Sequence, residues 1–147
     1  MKIIFYIGPP EIQDHLIRFF TKSKVSHCEL IFTDELGFSA IPKDGTRFTF
    51  IYNFDDSAVW KTIELPWITL EDEQRIRKFC EQEEGCKYDW SAVLLGRINP
   101  LHNHKSKWFC SEICAAAIKP FTKGLNDFWY TPKSLHDSLK DSMVFNL

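Results

Sequence analysis

The pattern of apolar and polar positions divides the chain into a strand-rich first half and a helical second half. An apolar, β-prone run at residues 2–7 ends at Gly8-Pro9-Pro10, and apolar residues then recur at helical spacing from Ile12 to Phe20. We interpret this as a strand followed by a helix. Further β-like runs separated by short polar turns follow at Ser26 to Phe32, Leu36 to Ile41, Arg47 to Tyr52 and Val59 to Leu65. They predict an antiparallel meander.

From Thr69 onwards the pattern is helical. Thr69 is a suitable N-cap for a helix that runs to about Glu84, where Gly85 ends it. Three more helices are predicted, at Asp89 to Leu95, at Lys107 to Ile118, and from Thr131-Pro132 through Leu139. Strands that precede most of the helices indicate the α+β class.

Length and composition indicate one folded domain over residues 1–147. The chain is 44% hydrophobic and 26% charged, enough for a core and a solvated surface, and no linker-like segment divides it. A formal net charge of −2 provides no general field for binding nucleic acid. Without a signal-peptide pattern or an apolar run of about 20 residues, we expect a cytoplasmic protein with no stable membrane insertion. The oligomeric state stays open.

Cys110 is the cysteine best placed for chemistry. The five cysteines do not suggest a disulfide framework, because their number is odd and no secretory context is evident. Cys110 falls near the start of the predicted apolar helix, where unpaired backbone N–H groups lower a thiol pKa and favour the nucleophilic thiolate. The alternative is that Cys110 is a small buried apolar side chain, which is our interpretation of Cys114.

His27 is the candidate base for this thiol. It begins the run Ser26-His27-Cys28-Glu29-Leu30, in which strand alternation places His27 and Glu29 on one face and Cys28 and Leu30 on the other. Cys28 is therefore expected in the core.

Two blocks of sequence resemble the NlpC-type family of papain-like cysteine peptidases. Tyr88-Asp89-Trp90 followed by Cys110-Ser111 resembles the family's nucleophile block, and the run from His27 to Phe32 followed by Phe38-Ser39-Ala40 resembles its histidine block. Their order is reversed here. This order is similar to the circularly permuted branch, which includes YiiX-type bacterial proteins and resembles lecithin:retinol acyltransferases.

The resemblance implies a permuted papain-like fold, with a small antiparallel sheet packed on the nucleophile-bearing helix. It implies a peptidase or amidase in which Cys110 is the nucleophile, His27 the base and Ser39 the polar residue that orients the imidazole. Glu29 is the alternative orienting group, and Tyr88 can donate a hydrogen bond to the oxyanion. The implied substrate is a peptide amide, including those of bacterial cell walls, or an acyl ester. No metal or organic cofactor is implied.

Three other interpretations stay open. One is a binding or structural module without activity, favoured by the weak orienting group Ser39. The second is a lipid acyltransferase or thioesterase with an apolar groove formed by Trp108, Phe128 and Trp129. The third is a zinc site formed by Cys80, Cys86, His102 and His104, which is disfavoured by the cysteine spacing. The segment His102-Asn103-His104 is interpreted as a polar loop.

Overall fold

The structure is a computed structural model that describes residues 1–91, 107–126 and 130–146. The strands are β1 (Lys2–Tyr6), β2 (His27–Ile31), β3 (Leu36–Ile41), β4 (Gly45–Phe50), β5 (Trp60–Glu64), β6 (Lys87–Tyr88) and β7 (Lys107–Trp108). The helices are α1 (Ile12–Thr21), α2 (Leu70–Glu83), α3 (Cys110–Ile118) and α4 (Pro132–Asn146), with a 3-10 turn at Lys119–Phe121. The α+β class is confirmed for the described residues.

The first five strands form one antiparallel sheet in the order β4-β3-β2-β1-β5. The predicted meander is confirmed for β2, β3 and β4, which are neighbours in sequence and in space. In contrast, β5 crosses to the far side and pairs with β1, so that Ile3 lies opposite Ile63. The sheet therefore has β2, with His27 at its start, at its centre.

Strand alternation divides the sheet residues between two apolar clusters. The larger one lies on the face that α3 covers and includes Phe5, Cys28 and Leu30, all without exposed surface. The smaller one, on the other face, contains Ile4 and Ile31. Successive residues of one strand thus enter different clusters, as a period of two requires.

A short parallel pairing of β6 with β7 holds the chain on both sides of residues 89–106. Lys87 lies opposite Lys107, Tyr88 lies opposite Trp108, and the Asp89 N–H donates to the Trp108 carbonyl at 3.0 Å. The segment that leads into β6 is itself bound to β4, because the Thr46 N–H donates to the Cys86 carbonyl at 2.9 Å.

Gly45 makes this approach to β4 feasible. Its φ is +72°, and a Cβ there would lie 2.0 Å from the Cys86 carbonyl oxygen. A larger residue is therefore excluded on both conformational and steric grounds.

Several predicted boundaries are corrected. The helix predicted from Lys107 begins at Cys110, because Lys107 and Trp108 pair with β6 as strand residues. The last helix continues beyond Leu139 to Asn146, where the Asn146 side chain bonds to the backbone of Lys123. The N-cap of α2 is Thr69 as predicted, with its hydroxyl accepting the Asp72 N–H at 3.1 Å. Residues 92–95 of the predicted helix at 89–95 lie outside the described part.

Most of the apolar side chains of α1 face away from the core. Of its residues only Asp14 and Ile17 are buried. The helix is anchored through Arg18, whose guanidinium donates to the Gly8 carbonyl at 2.8 Å. None of the helices in the described ranges has the length and apolar character needed to cross a bilayer.

Candidate active site

Cys110 and His27 meet where the start of α3 packs on the start of β2. Cys110 is the first residue of α3, so its backbone N–H has no acceptor within the helix. The Cys110 thiol lies close enough to the His27 imidazole and to Cys28 for both to shift its pKa. Cys110 has no exposed surface, whereas the His27 side chain is 16% exposed. The imidazole is thus the solvent-facing part of this pair.

The two groups shift each other's pKa in opposite directions. Burial would raise the pKa of the Cys110 thiol, but its hydrogen bonds to Cys28 and His27 and the charge of the imidazolium lower it from 9.0 to about 5. Burial would likewise lower the pKa of His27, yet its bonds to Cys110 and Glu29 raise it to about 10. At neutral pH the pair is a thiolate and an imidazolium, the form in which cysteine is nucleophilic.

Glu29 occupies the other side of the imidazole. Its Oε1 lies 2.9 Å from His27 Nε2, which confirms that the two side chains share one face of β2. Because Nε2 bonds to Glu29, the nitrogen left for Cys110 is Nδ1. Burial would raise the pKa of the Glu29 carboxyl, but His27 and Arg47 lower it. This carboxylate is therefore ionised and stabilises the imidazolium.

Arg47, on β4, continues this row of charges beyond Glu29, with β3 lying between the two strands that carry them. Its Nη2 donates to the same Glu29 Oε1 at 2.6 Å, and its Nη1 lies 3.5 Å from the Ser39 carbonyl oxygen. The Glu29 and Arg47 side chains are 1% and 18% exposed. Sequence analysis missed Arg47, since only the β3–β4 pairing, with Arg47 opposite Ser39, brings it near the site. The signal that could have identified it is a charged residue at the start of the run Arg47 to Tyr52, which predicts a strand.

Gly37 leaves room for the second oxygen of Glu29. This Oε2 is buried and accepts no hydrogen bond from the described residues. A Cβ at Gly37 would lie 3.0 Å from it and 3.0 Å from the Thr49 carbonyl oxygen. A side chain at this position would therefore press on the carboxylate that holds His27.

Ser39 makes a different contact from the one that the resemblance implied. Its hydroxyl donates to the Cys28 carbonyl at 2.7 Å and is fully buried. We expected Ser39, rather than Glu29, to lie behind the imidazole. The structure instead has Glu29 there, because its side chain is long enough to reach His27 Nε2 from two residues along the strand. Ser39 instead ties β3 to β2 beside Cys114, whose sulfur lies 3.9 Å from the serine hydroxyl.

Tyr88 packs against the residue that precedes Cys110. Its ring packs edge-on against Phe109 and Trp90, with centroids 5.8 and 5.2 Å apart, and the residue is 8% exposed. Burial and the nearby Cys110 and Cys28 raise the pKa of its hydroxyl, so Tyr88 remains a neutral hydrogen-bond donor. Asp89, beside it, accepts the Ser91 N–H at 2.9 Å, as an N-cap does.

The other thiols lack this environment. Burial raises the pKa of Cys28, Cys80 and Cys86. Cys114 is buried one turn after Cys110, as expected of an apolar core residue. Cys110 is thus the thiol whose pKa the structure lowers.

Comparison with known proteins identifies a related fold. No family model matches the chain, and no curated protein matches it. The fold resembles that of YiiX. The crystal structure of the metalloprotein YiiX from Escherichia coli O157:H7, assigned to DUF1105, matches with a TM-score of 0.59 at 17% identity. The match covers 96% of this chain and 79% of YiiX. At this identity the likeness establishes a YiiX-like fold.

YiiX is described as a metalloprotein. Within residues 1–91, 107–126 and 130–146, no group of three or more His, Cys, Asp or Glu side chains is arranged to hold a metal ion. Cys80 is buried in the same apolar cluster as Cys114, whereas the Cys86 thiol donates to Glu83 Oε2 at 3.6 Å. His102 and His104, the other ligands of the zinc hypothesis, lie outside the described residues. So do Phe128 and Trp129 of the proposed groove, and half-buried Trp108 donates to Glu83 at 2.8 Å.

Proposed function

We propose that the protein is a cysteine-dependent hydrolase that attacks an amide or ester carbonyl through a thioester intermediate. The observation that supports this most directly is that Cys110 and His27 lie close enough to shift each other's pKa in opposite directions, with the Glu29 carboxylate on His27 Nε2. Covalent acyl transfer requires a nucleophile, a general acid–base that moves its proton and a group that orients this acid–base. The YiiX-like fold does not itself identify a reaction.

In the proposed reaction the Cys110 thiolate attacks the carbonyl carbon, and a C–S bond forms as the carbonyl becomes an oxyanion. The Cys110 backbone N–H and the Tyr88 hydroxyl donate hydrogen bonds to this oxyanion. His27 then gives its Nδ1 proton to the departing amine or alcohol. Neutral His27 next takes a proton from water, whose hydroxide attacks the thioester and restores the thiolate and imidazolium.

The substrate class follows from the resemblance to the permuted NlpC-type branch. Peptide amides, including those of bacterial cell walls, are the first candidates, and acyl esters are the second. Both present the carbonyl that this mechanism requires, and neither requires a cofactor.

Active-site probes test this proposal without a known substrate. Acyl-phosphonate, epoxide and chloromethyl-ketone probes are incubated with the wild type, Cys110→Ala, His27→Ala and the double variant, and the labelled residue is mapped by mass spectrometry. We expect labelling at Cys110 alone. Turnover of any ester or amide found in a substrate panel should be lost equally in both single variants and in the double variant, because the two groups act in one step.

A binding or structural module that retains the fold without turnover is the second candidate. One observation favours it: Cys110 exposes no surface. Folded wild-type protein in which no carbonyl-directed probe labels Cys110, while small alkylating reagents do, would support this candidate over the hydrolase.

A further inference from the structure

We propose that the outer face of α1 binds peripherally to membrane surfaces that contain anionic lipid. This outer face consists of Ile12, Leu16, Phe19 and Phe20. The inference does not depend on the proposed hydrolase, since none of these residues belongs to the candidate active site.

The outer face is apolar although it is turned towards solvent. Ile12 is 85% exposed and Phe19 is 76% exposed, while Leu16 and Phe20 are 43% and 44% exposed. At about 100° per residue, the four positions fall within a stripe about 100° wide, and the buried residues Asp14 and Ile17 lie on the opposite side. The apolar side of this amphipathic helix is therefore directed away from the protein core.

The exposed charged side chains at the C-terminal end of this stripe are basic. Between Ile12 and Thr33 the two carboxylates, Asp14 and Glu29, are buried. The fully ionised side chains exposed in that range are Lys22 and Lys24, at the C-terminal end of α1. Glu11, just before the helix, is the nearest exposed carboxylate along the chain. An apolar stripe with cations at one end complements a layer that presents acyl chains beneath anionic headgroups.

The size of the outer face favours a lipid surface over a protein partner. A complete aromatic side chain buries roughly 150–250 Å², so these four partly exposed side chains offer a few hundred Å² together. Specific protein interfaces bury roughly 800 Å² on each partner. Phe19 and Phe20 also contact each other edge-on, with centroids 5.4 Å apart, and form a compact aromatic pair that can enter the headgroup region.

Vesicle co-sedimentation tests the proposal. Wild-type protein is mixed with phosphatidylcholine vesicles that either contain or lack phosphatidylglycerol, at low and at high salt. We expect binding to the anionic vesicles that weakens as salt rises. Phe19→Ser with Phe20→Ser should reduce the partition coefficient about tenfold or more, because the apolar contact is lost. Lys22→Glu with Lys24→Glu should remove the preference for anionic lipid.

Matched controls come from exposed residues elsewhere. Phe50, the last residue of β4, and Tyr52, two residues later, are 62% and 86% exposed, so Phe50→Ser with Tyr52→Ser removes comparable aromatic area outside α1. This control and Cys110→Ala should bind vesicles as the wild type does, with circular dichroism confirming the fold of each. An equal loss of vesicle binding in the Phe50/Tyr52 variant, or no vesicle binding by folded wild type, would refute the proposal. A concentration-dependent dimer seen by ultracentrifugation and abolished by Phe19→Ser with Phe20→Ser would also refute it, because the outer face would then bind a second copy of the chain.

Discussion

Replacing His27 with alanine should change how the reactivity of Cys110 depends on pH. The interactions of the site lower the pKa of this thiol from 9.0 to about 5, and His27 supplies both a hydrogen bond and a positive charge. Without the imidazolium, only the contacts with Cys28 oppose the rise that burial causes in the pKa of Cys110. We therefore expect the pKa of Cys110 in His27→Ala to return to about 9 or above.

The magnitude depends on two opposing effects. At pH 6 the thiolate fraction falls from about nine-tenths to about one in a thousand, or roughly 900-fold, when the pKa rises from about 5 to about 9. The more basic thiolate is intrinsically more nucleophilic, and over four pKa units this compensates for a factor of roughly 60 of the loss in thiolate fraction. The net loss is about 15-fold at pH 6, whereas at pH 7 the two effects almost cancel. A measurement at neutral pH alone would therefore miss the role of His27.

The assay is the rate of iodoacetamide alkylation of Cys110 from pH 4 to pH 10, followed by peptide mapping. Wild type should show a midpoint near pH 5 and a plateau above it, whereas His27→Ala should become steadily more reactive up to pH 9. His15→Ala, which changes an exposed histidine of α1, is the matched control and should follow the wild type. A wild-type midpoint near 9, or a midpoint that His27→Ala leaves unchanged, would refute the ion pair.

Four further predictions concern the residues around this pair. Glu29→Gln should lower the pKa of His27 from about 10, seen in NMR titration of the ring, whereas Ser39→Ala should leave it in place. Arg47→Met should lower the free energy of unfolding by about 3 kcal/mol in urea titrations, because the buried Glu29 carboxylate loses a charged partner. Arg75→Met removes an exposed pair with Glu71 and should lower it by under about 0.5 kcal/mol. The free energy of unfolding should rise with pH from about 5 to 6.5, by about 2 kcal/mol, and fall again above about 9. Elemental analysis of chelator-free protein should find no stoichiometric zinc, and zinc lost on Cys86→Ala would contradict this.

The sign of the stability profile follows from proton counting. Between pH 5 and 6.5 the unfolded chain retains the thiol proton that folded Cys110 has released, so raising the pH favours the folded state. Between 6.5 and 9 folded His27 retains a proton that the unfolded chain loses, and the two contributions cancel. Above 9 the unfolded thiol has also ionised and only the His27 effect remains, so stability falls. Cys110→Ser should lack the rise at low pH, and an identical rise in that variant would assign it to other groups.

Local patterns predicted most of the elements, because strand alternation and helix caps depend on residues close together in sequence. They also predicted that His27 and Glu29 share a face. The contribution of Arg47 was missed because it depends on the register between β3 and β4, and the role of Ser39 was wrong because side-chain reach depends on exact backbone positions. Similarly, no local signal could place β5 beside β1, a pairing that connects the first strand to one about 60 residues later.

The pairing of β6 with β7 bears on where the nucleophile begins its helix. Two short strands fix both ends of residues 89–106, and Cys110 follows two residues after the second strand. The position of the nucleophile is thus set by the paired ends and by the packing of α3 on the sheet. A change that weakens the β6–β7 pairing is consequently transmitted along the backbone to Cys110.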